Sequence, residues 1–373
     1  MRDWALAVFA GGADPAPAAP REAWRVFLAV ERCALPLRAR VLARRARLSS
    51  DAAAVLEARA NAELVRALSA RARLITLGRM VSRLGTGAVA LKGGAAALGT
   101  DPLDVQDVDV LVRPEHAEAV AAGLEAGAGA RRLGAEAAPG TAGTFHLAPR
   151  GADDAVPVEV HYALPFVGDA DPWAEAVPAG PPGILRLAPA LHLWHVLVHG
   201  AVHHPERRGS LRELLMTAGA VAACDAGELA EVRARAAAHP DAPPLLRTLD
   251  VAESLARGVP AADAFRPLGA LGYLFAASGG GRAYRGALGI YTMRAAYALA
   301  TAEGAYRRLW LSSPSGVRSL EKFGGASWVD RLIPAAGHTL RVAYRGACTV
   351  AGTLRALRLA RAARALAAEA PRG

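Results

Sequence analysis

Three short segments of the chain carry the residue types that phosphoryl chemistry requires. In order they are Leu-Lys-Gly-Gly at 91–94, Asp-Val-Asp at 107–109 and Val-Glu-Val-His at 158–161. Glycines let backbone N–H groups approach a phosphate, and closely spaced carboxylates can bind a divalent cation. Together the three segments predict a site for a phosphorylated substrate and a metal ion.

The carboxylates of Asp107 and Asp109 are predicted to share one face of a strand. They lie in and beside an apolar run at 108–112. Residues i and i+2 of a strand point to the same side, so the valines of that run would face the core. Neighbouring carboxylates repel each other unless a cation lies between them. The pair therefore predicts Mg²⁺, or else Mn²⁺, and a solvent-exposed strand face is the alternative interpretation.

Glu159 and His161 are predicted to lie on one face of a second strand, because they alternate with valines. Glu159 could complete the metal site or act as a base on an acceptor hydroxyl. His161 could contact a substrate or orient Glu159. An edge strand with one solvated face is the simpler alternative.

Lys92 is one of only two lysines among 44 basic residues, and it lies in the glycine turn. A turn from a strand into a helix would direct the N–H groups of Gly93 and Gly94 toward a phosphate, and Lys92 would add a positive charge. Many strand-to-helix turns use two glycines, so the tetrapeptide is weak evidence by itself.

Five of the ten histidines fall within 187–205, a stretch without Asp, Glu, Lys or Arg. Spacings of three and four residues place most of them on related faces of a helix. We expect this helix to pack against the α/β unit, with His195 and His199 as candidate substrate contacts. A zinc site is the alternative.

The wider pattern of apolar residues predicts an α+β protein with a small mixed β-sheet. Within the N-terminal part, residues 1–20 are expected to be a loose tail, and the helix at 20–47 is expected to break at Pro36. The predicted parts are N-terminal helices at 1–85, an α/β core at about 86–165, a helical bundle with the histidine-rich helix at 186–278 and a basic helical segment at 282–373.

The positive charge of the chain is concentrated at its end. Residues 282–373 contain 15 Lys and Arg and 4 Asp and Glu, a net charge of +11, against +10 for the whole chain. Such a segment suits a phosphate-rich partner, either a nucleoside triphosphate or RNA, or else forms a solvated surface. Three distant cysteines and the lack of a secretory or transmembrane pattern predict a cytoplasmic protein. Attachment to a membrane surface through 347–370 is a weaker alternative.

In this order, the three segments resemble the nucleotidyltransferase fold of the DNA polymerase β superfamily, where a glycine turn precedes an acid-x-acid strand and a third acid follows. More narrowly, the chain resembles the family called uncharacterised nucleotidyltransferases. The shared features are Leu-Lys-Gly at 91–93, Asp-x-Asp-x-Leu-Val at 107–112, Glu-x-His at 159–161 and the histidine-rich helix. The resemblance covers about 60–260.

The resemblance implies a fold, a reaction and a role for each of these residues. The reaction would be attack of an acceptor hydroxyl on the α-phosphate of an NTP such as ATP, with release of pyrophosphate. The acceptor would be a small molecule or peptide, because relatives are often encoded beside natural-product genes. An RNA- or tRNA-directed, toxin-like transferase and a nucleotide-binding protein without catalysis are the alternatives. The implied catalytic and metal-binding residues are Asp107, Asp109 and Glu159, and the implied phosphate-binding residues are Lys92, Gly93 and Gly94.

Overall fold

The computed structural model describes residues 1–12, 14–99, 103–127, 130–132, 144–149, 156–164, 171–203 and 209–259. The predicted basic segment at 282–373 lies outside the described residues, as does the candidate membrane-surface helix at 347–370. The chain divides into one unit of Met1–Gly200 with Ser210–Asp263 and a second of Ala201–Gly209 with Ala264–Gly373. Apart from the end of one π-helical turn, every described helix and strand belongs to the first unit.

Ten α-helices and seven strands occur in the described residues. The helices are α1 (Arg2–Phe9), α2 (Arg21–Glu31), α3 (Ala34–Arg44), α4 (Ser50–Arg83), α5 (Lys92–Leu98), α6 (Ala117–Gly127), α7 (Pro189–Val198), α8 (Leu211–Ala222), α9 (Ala226–Ala238) and α10 (Ala242–Ala256). The strands are β1 (Ala88–Ala90), β2 (Val108–Val112), β3 (Ala130–Arg132), β4 (Thr144–Pro149), β5 (Val158–His161), β6 (Val177–Pro178) and β7 (Ile184–Arg186). A 3₁₀ turn, Pro114–His116, precedes α6, and a π-helical turn, His199–His203, follows α7.

The first residues of the chain form a packed helix, so the predicted loose tail is wrong for its first half. Trp4 of α1 is buried, and its ring meets Trp24 of α2 edge to face at a centroid distance of 5.6 Å. Arg2 donates hydrogen bonds to the buried carboxylate of Glu31 at 2.6 and 2.7 Å. These aromatic and ionic contacts offset the conformational entropy lost when a terminus is ordered.

The break between α2 and α3 lies at Arg32 and Cys33, not at Pro36 as predicted. Arg32 has a left-handed φ of 51°, which ends α2. Pro36 instead lies in the first turn of α3. A proline is tolerated there because the N–H groups of a first turn have no intrahelical partner.

The seven strands form one mixed sheet in the order β3-β4-β5-β2-β1-β7-β6. Strand β1 runs antiparallel to β2 and parallel to β7, and β2 runs parallel to β5. The predicted α+β class with a small mixed sheet is confirmed. The last two strands, β6 and β7, follow residue 165 and have two and three residues. Segments this short show no readable alternation, so the sequence pattern does not reveal them.

One face of the sheet packs against α4 and α6. Val108, Val110 and Val112 of β2 lie in this core, as the alternation predicted. Gly78 lets α4 approach the sheet closely, because a Cβ there would lie 2.3 Å from the carbonyl oxygen of Pro182. The apolar contact on this face leaves the other face of β2 and β5 for the carboxylates.

The opposite face of the sheet is apolar at one end and acidic at the other. Val89, Leu111 and Leu187 form an apolar cluster, to which Leu191 of α7 contributes. Helix α7 therefore lies over this face, and α8 packs against both α7 and α10. The predicted histidine-rich helix is α7, which gives way to the π-helical turn at His199. Within the described ranges, no helix combines the length and the apolar composition needed to cross a bilayer.

Candidate active site

The acids of the second and third sequence segments meet on neighbouring strands. In the parallel pairing of β2 and β5, Asp109 is directly opposite Glu159, and Leu111 is opposite His161. Side chains opposite each other on adjacent strands are close neighbours. Register, and not proximity along the chain, brings the two carboxylates together, since they are 50 positions apart in the sequence.

Asp109 is a buried carboxylate, and one of its oxygens, Oδ1, accepts hydrogen bonds from both Lys92 and His161. Lys92 Nζ donates to Asp109 Oδ1 at 2.6 Å, and His161 Nε2 lies 2.9 Å from the same oxygen. Burial alone would raise the pKa of Asp109, but the hydrogen bonds from His161 and Lys92 outweigh it and hold the pKa well below its usual range. The carboxylate is therefore ionised at neutral pH and can only accept hydrogen bonds, so Nε2 of His161 is the donor in this contact.

Asp107 lies just before β2, and its surroundings differ from those of Asp109. Burial and the negative charges of Asp109 and Glu159 raise the pKa of Asp107, while Lys92 and Arg212 act in the opposite direction. Two acids two residues apart thus have pKa values moved in opposite directions. Such a divergence is common where carboxylates serve a chemical function.

The glycine turn begins α5 earlier than the sequence suggests and positions Lys92 at its first residue. Lys92 has a φ of 40°, an unusual left-handed conformation for a residue with a side chain. A Cβ at Gly94 would lie 3.0 Å from the carbonyl oxygen of Asp109. The missing side chain therefore lets α5 pack against β2, which carries Lys92 to the carboxylate. The phosphate-binding role of Gly93 and Gly94 stays a prediction.

The histidine-rich helix brings His195 to the site. His195 is 4% exposed, and neither of its ring nitrogens has a hydrogen-bond partner in the described residues. Burial, with Lys92 and His192 nearby, lowers its pKa to about 3, so the ring is neutral. His199 follows one turn later, with its ring centroid 6.2 Å from that of His195. A buried polar ring without a partner is costly unless a ligand satisfies it.

Arg212 and Glu213 of α8 are site residues that the sequence reasoning missed. Arg212 Nε donates to the backbone carbonyl of Asp104 at 2.7 Å, and its Nη1 donates to Glu213 Oε1 at 2.5 Å. A Cβ at Gly93 would lie 3.4 Å from Arg212 Nη2. No local motif marks these residues, although a charged pair in an otherwise apolar helix start, Leu211 to Met216, is the signal that could have drawn attention to them.

The donor atoms of this site fit a divalent cation. Asp109, Glu159 and His161 each offer one donor atom, and the three atoms all lie within 4.8 Å of one another. Two carboxylate oxygens suit Mg²⁺ or Mn²⁺, and the imidazole nitrogen adds a preference for the transition metal. Among the described residues, this three-residue group does not include Asp107, which the sequence proposed as a ligand.

Comparison with known proteins agrees with this geometry. The model of one protein family, described as uncharacterised nucleotidyltransferase, matches residues 27–257. The chain belongs to this family. No curated protein and no solved structure is similar enough to the chain to be matched.

Membership of the uncharacterised nucleotidyltransferases confirms the resemblance found in the sequence motifs. The matched residues contain all three segments, the histidine-rich helix and Arg212. The family supports nucleotidyl transfer as the general activity and an NTP as the substrate. It does not identify the acceptor or the ion.

Proposed function

We propose that this protein transfers a nucleoside monophosphate from an NTP to a hydroxyl group of a small-molecule or peptide acceptor. The oxygen–phosphorus bond to the acceptor forms as the bond to the departing pyrophosphate breaks, and the hydroxyl proton passes to a base. The observation that carries the proposal is the convergence of Lys92, Asp109, Glu159 and His161 from three elements in a chain of this family.

The charged residues of the site would divide the work between binding and proton transfer. Lys92 contacts Asp109, a proposed ligand of the cation that binds the triphosphate. Its positive charge would therefore lie beside the triphosphate, where negative charge develops in the transition state. Glu159, which is more exposed than Asp109, would accept the hydroxyl proton of the acceptor. Gly93 and Gly94 would offer backbone N–H groups at the start of α5.

Asp107, Asp109 and Glu159 would hold the divalent cation, and His161, whose Nε2 lies 2.9 Å from Asp109 Oδ1, would orient that carboxylate. We favour Mg²⁺, with Mn²⁺ as the alternative. When bound, the ion supplies positive charge that neutralises the phosphate oxygens. The raised pKa of Asp107 fits a ligand whose ionised form needs a cation nearby.

The buried histidines suit the acceptor. His195 is neutral and offers one donor and one acceptor nitrogen, which would hydrogen-bond a hydroxyl or amide of a small molecule or peptide. His161 and His199 would complete these contacts. A role in natural-product biosynthesis and a cytoplasmic location are parts of the same proposal.

The decisive experiment replaces the acids and measures both binding and transfer. Asp107→Asn and Asp109→Asn should each lower pyrophosphate release by roughly a thousandfold or more, because an amide no longer supplies the charge that the cation needs. Mn²⁺ binding, followed by electron paramagnetic resonance, should weaken in parallel.

Asp250→Asn is the matched control, because Asp250 is an exposed acid that pairs with Arg233 on α9. This variant should keep wild-type transfer and Mn²⁺ affinity. Unchanged transfer in the Asp107 and Asp109 variants would reject the mechanism. If no NTP and acceptor give pyrophosphate, a nucleotide-binding protein without catalysis replaces the proposal.

RNA is the second candidate acceptor, favoured by the net charge of +11 on residues 282–373. When many arginines bind the phosphates of RNA, counterions are released, so the affinity falls steeply as the salt concentration rises. Transfer to a tRNA 3′ end that falls by roughly a hundredfold or more between 50 and 200 mM salt would support it. Salt-insensitive transfer to a small acceptor would exclude it.

A further inference from the structure

Arg212 is a buried guanidinium with two of its three nitrogens already committed. Its Nε donates to the carbonyl oxygen of Asp104, and its Nη1 donates to Glu213. The side chain is 6% exposed. Among the described residues, the hydrogen bonds of this side chain are made by Nε and Nη1, and Nη2 makes none. Because the guanidinium is planar, the two fixed nitrogens determine where the third one points.

The remaining nitrogen lies beside the glycine turn. A Cβ at Gly93 would be 3.4 Å from Nη2 and 3.4 Å from the carbonyl oxygen of Asp107. A Cβ would be in van der Waals contact with both atoms, so the glycine leaves the position between them unfilled at the first turn of α5. Arg212 and Lys92 are both close enough to Asp107 to act on its charge, so each places a cation near the glycine turn.

An arginine held in this way is suited to an anion with several oxygens. A guanidinium donates short, charge-assisted hydrogen bonds to phosphate, and one whose orientation is fixed in advance loses little side-chain entropy on binding. The negative charges of Glu213 and Asp107 keep Arg212 protonated despite its burial. Arg212 therefore carries a permanent positive charge with an uncommitted donor.

We propose that Arg212 binds the terminal phosphates of the nucleoside triphosphate through Nη2, beside Gly93 and opposite Lys92. This inference rests on the proposed function, because it assigns a residue of α8 to the triphosphate of the same substrate. It adds a phosphate ligand that lies 51 residues beyond the last of the three sequence segments.

The test compares phosphate-only and nucleotide probes by isothermal titration calorimetry, in the full-length chain with Mg²⁺. The variants are Arg212→Gln and Arg212→Lys, and the probes are inorganic tripolyphosphate, the four common NTPs and their monophosphates. We expect affinity for tripolyphosphate and NTP to fall by roughly ten- to a hundredfold, since one charge-assisted hydrogen bond is lost. Affinity for the monophosphates should change by less than about threefold, because they lack the terminal phosphates.

Arg66→Gln is the control for damage to the buried ion pairs. Arg66 binds the side chain of Asp104, whereas Arg212 binds its backbone. The control should lower the Tm but keep the tripolyphosphate affinity within about twofold. If Arg212→Gln does not fold, Arg212→Lys, with wild-type circular dichroism, carries the test.

Equal losses for the monophosphates and tripolyphosphate would overturn the inference, as would no loss at all or no tripolyphosphate binding by the wild type. Pyrophosphate release tests the proposed function separately. A selective loss in Arg212→Gln without any transfer by the wild type would keep the inference and reject transfer. Transfer by the wild type, with unchanged tripolyphosphate affinity in Arg212→Gln, would support the proposed function and reject the role of Arg212.

Discussion

Lys92 and Asp109 form the ion pair on which the site depends, and the backbone is strained to make it. The left-handed φ of 40° at Lys92 costs about 1 kcal/mol for a residue with a Cβ. This strain is offset by the ion pair between Lys92 Nζ and Asp109 Oδ1, which are 2.6 Å apart. The side chain of Lys92 is 11% exposed and that of Asp109 is 2% exposed. In such surroundings Lys92 occupies the position of a cation on Oδ1, so we expect it to compete with the metal ion.

Replacement of Lys92 by Met should therefore change binding and catalysis in opposite directions. Mn²⁺ affinity should rise by about tenfold, because a nearby positive charge is lost, whereas pyrophosphate release should fall by about a hundredfold. Electron paramagnetic resonance and a steady-state assay measure the two quantities. Lys92→Arg, which keeps the charge, is the control. A parallel fall in both quantities would show that Lys92 assists metal binding and does not compete with it.

At the scale of elements, the position of α5 on β2 decides where Lys92 lies. Gly94 faces the backbone of Asp109, and a Cβ there would lie 3.0 Å from its carbonyl oxygen, so helix and strand would have to move apart by a few tenths of an ångström. The sequence suggested these glycines for phosphate approach, and the structure gives Gly94 a packing role as well. Helix and strand must touch for the ion pair to form.

Gly94→Ala should destabilise the fold by about 1–3 kcal/mol, because the new methyl group must push α5 away from β2. Transfer should also fall, since Lys92 moves with the helix. Gly219→Ala is the matched control: it lies in the exposed part of α8 with nothing within 4 Å of the new Cβ. The free energy of unfolding of that variant should rise by about 0.5–1 kcal/mol, because alanine favours a helix more than glycine does. Chemical denaturation of both variants checks this pair, and equal stabilities would contradict the close packing of α5.

At the scale of the whole unit, a buried carboxylate joins the N-terminal helices to the site. Asp104 is fully buried and accepts hydrogen bonds from Arg32 at the end of α2 and Arg66 of α4, at 2.9 and 2.8 Å. Its backbone carbonyl accepts from Arg212. Burial alone would raise the pKa of Asp104, but Arg32 and Arg66 outweigh it and lower the pKa below its ordinary value.

Asp104→Asn should lower the free energy of unfolding by about 3 kcal/mol at pH 7, because two arginines lose their counter-charge. A lowered folded-state pKa adds stability above the unfolded pKa of about 4, and this stability is lost as pH falls through the folded value. The difference between wild type and variant should therefore shrink below pH 4. Urea titrations at pH 7 and pH 3 measure it.

Asp250→Asn is again the exposed comparison and should cost less than about 1 kcal/mol at either pH. A difference for Asp104→Asn that does not depend on pH would show that its effect comes from packing and not from charge.

The residue types of the site and the strands that carry them can be predicted from the sequence alone. Alternation placed the valines of β2 in the core and Glu159 beside His161 on one face, because a strand has a period of two. It did not reveal α1, since the Trp4–Trp24 contact and the ion pair of Arg2 with Glu31 hold that helix through residues more than 15 positions away. It placed the break at Pro36, where the local rule for proline allows a first helical turn.

Which distant groups meet at the site depends on how the helices and strands pack. Asp109 faces Glu159 because β2 and β5 pair in parallel in one register. Arg212 reaches Gly93 because α8 packs against α7 and the guanidinium binds the backbone of Asp104. Asp104 accepts hydrogen bonds from Arg32 and Arg66, which are 72 and 38 positions away in the sequence. Local periodicity reports which face of an element is apolar. The partner of each polar group follows from how buried faces pack together, and no single segment contains that information.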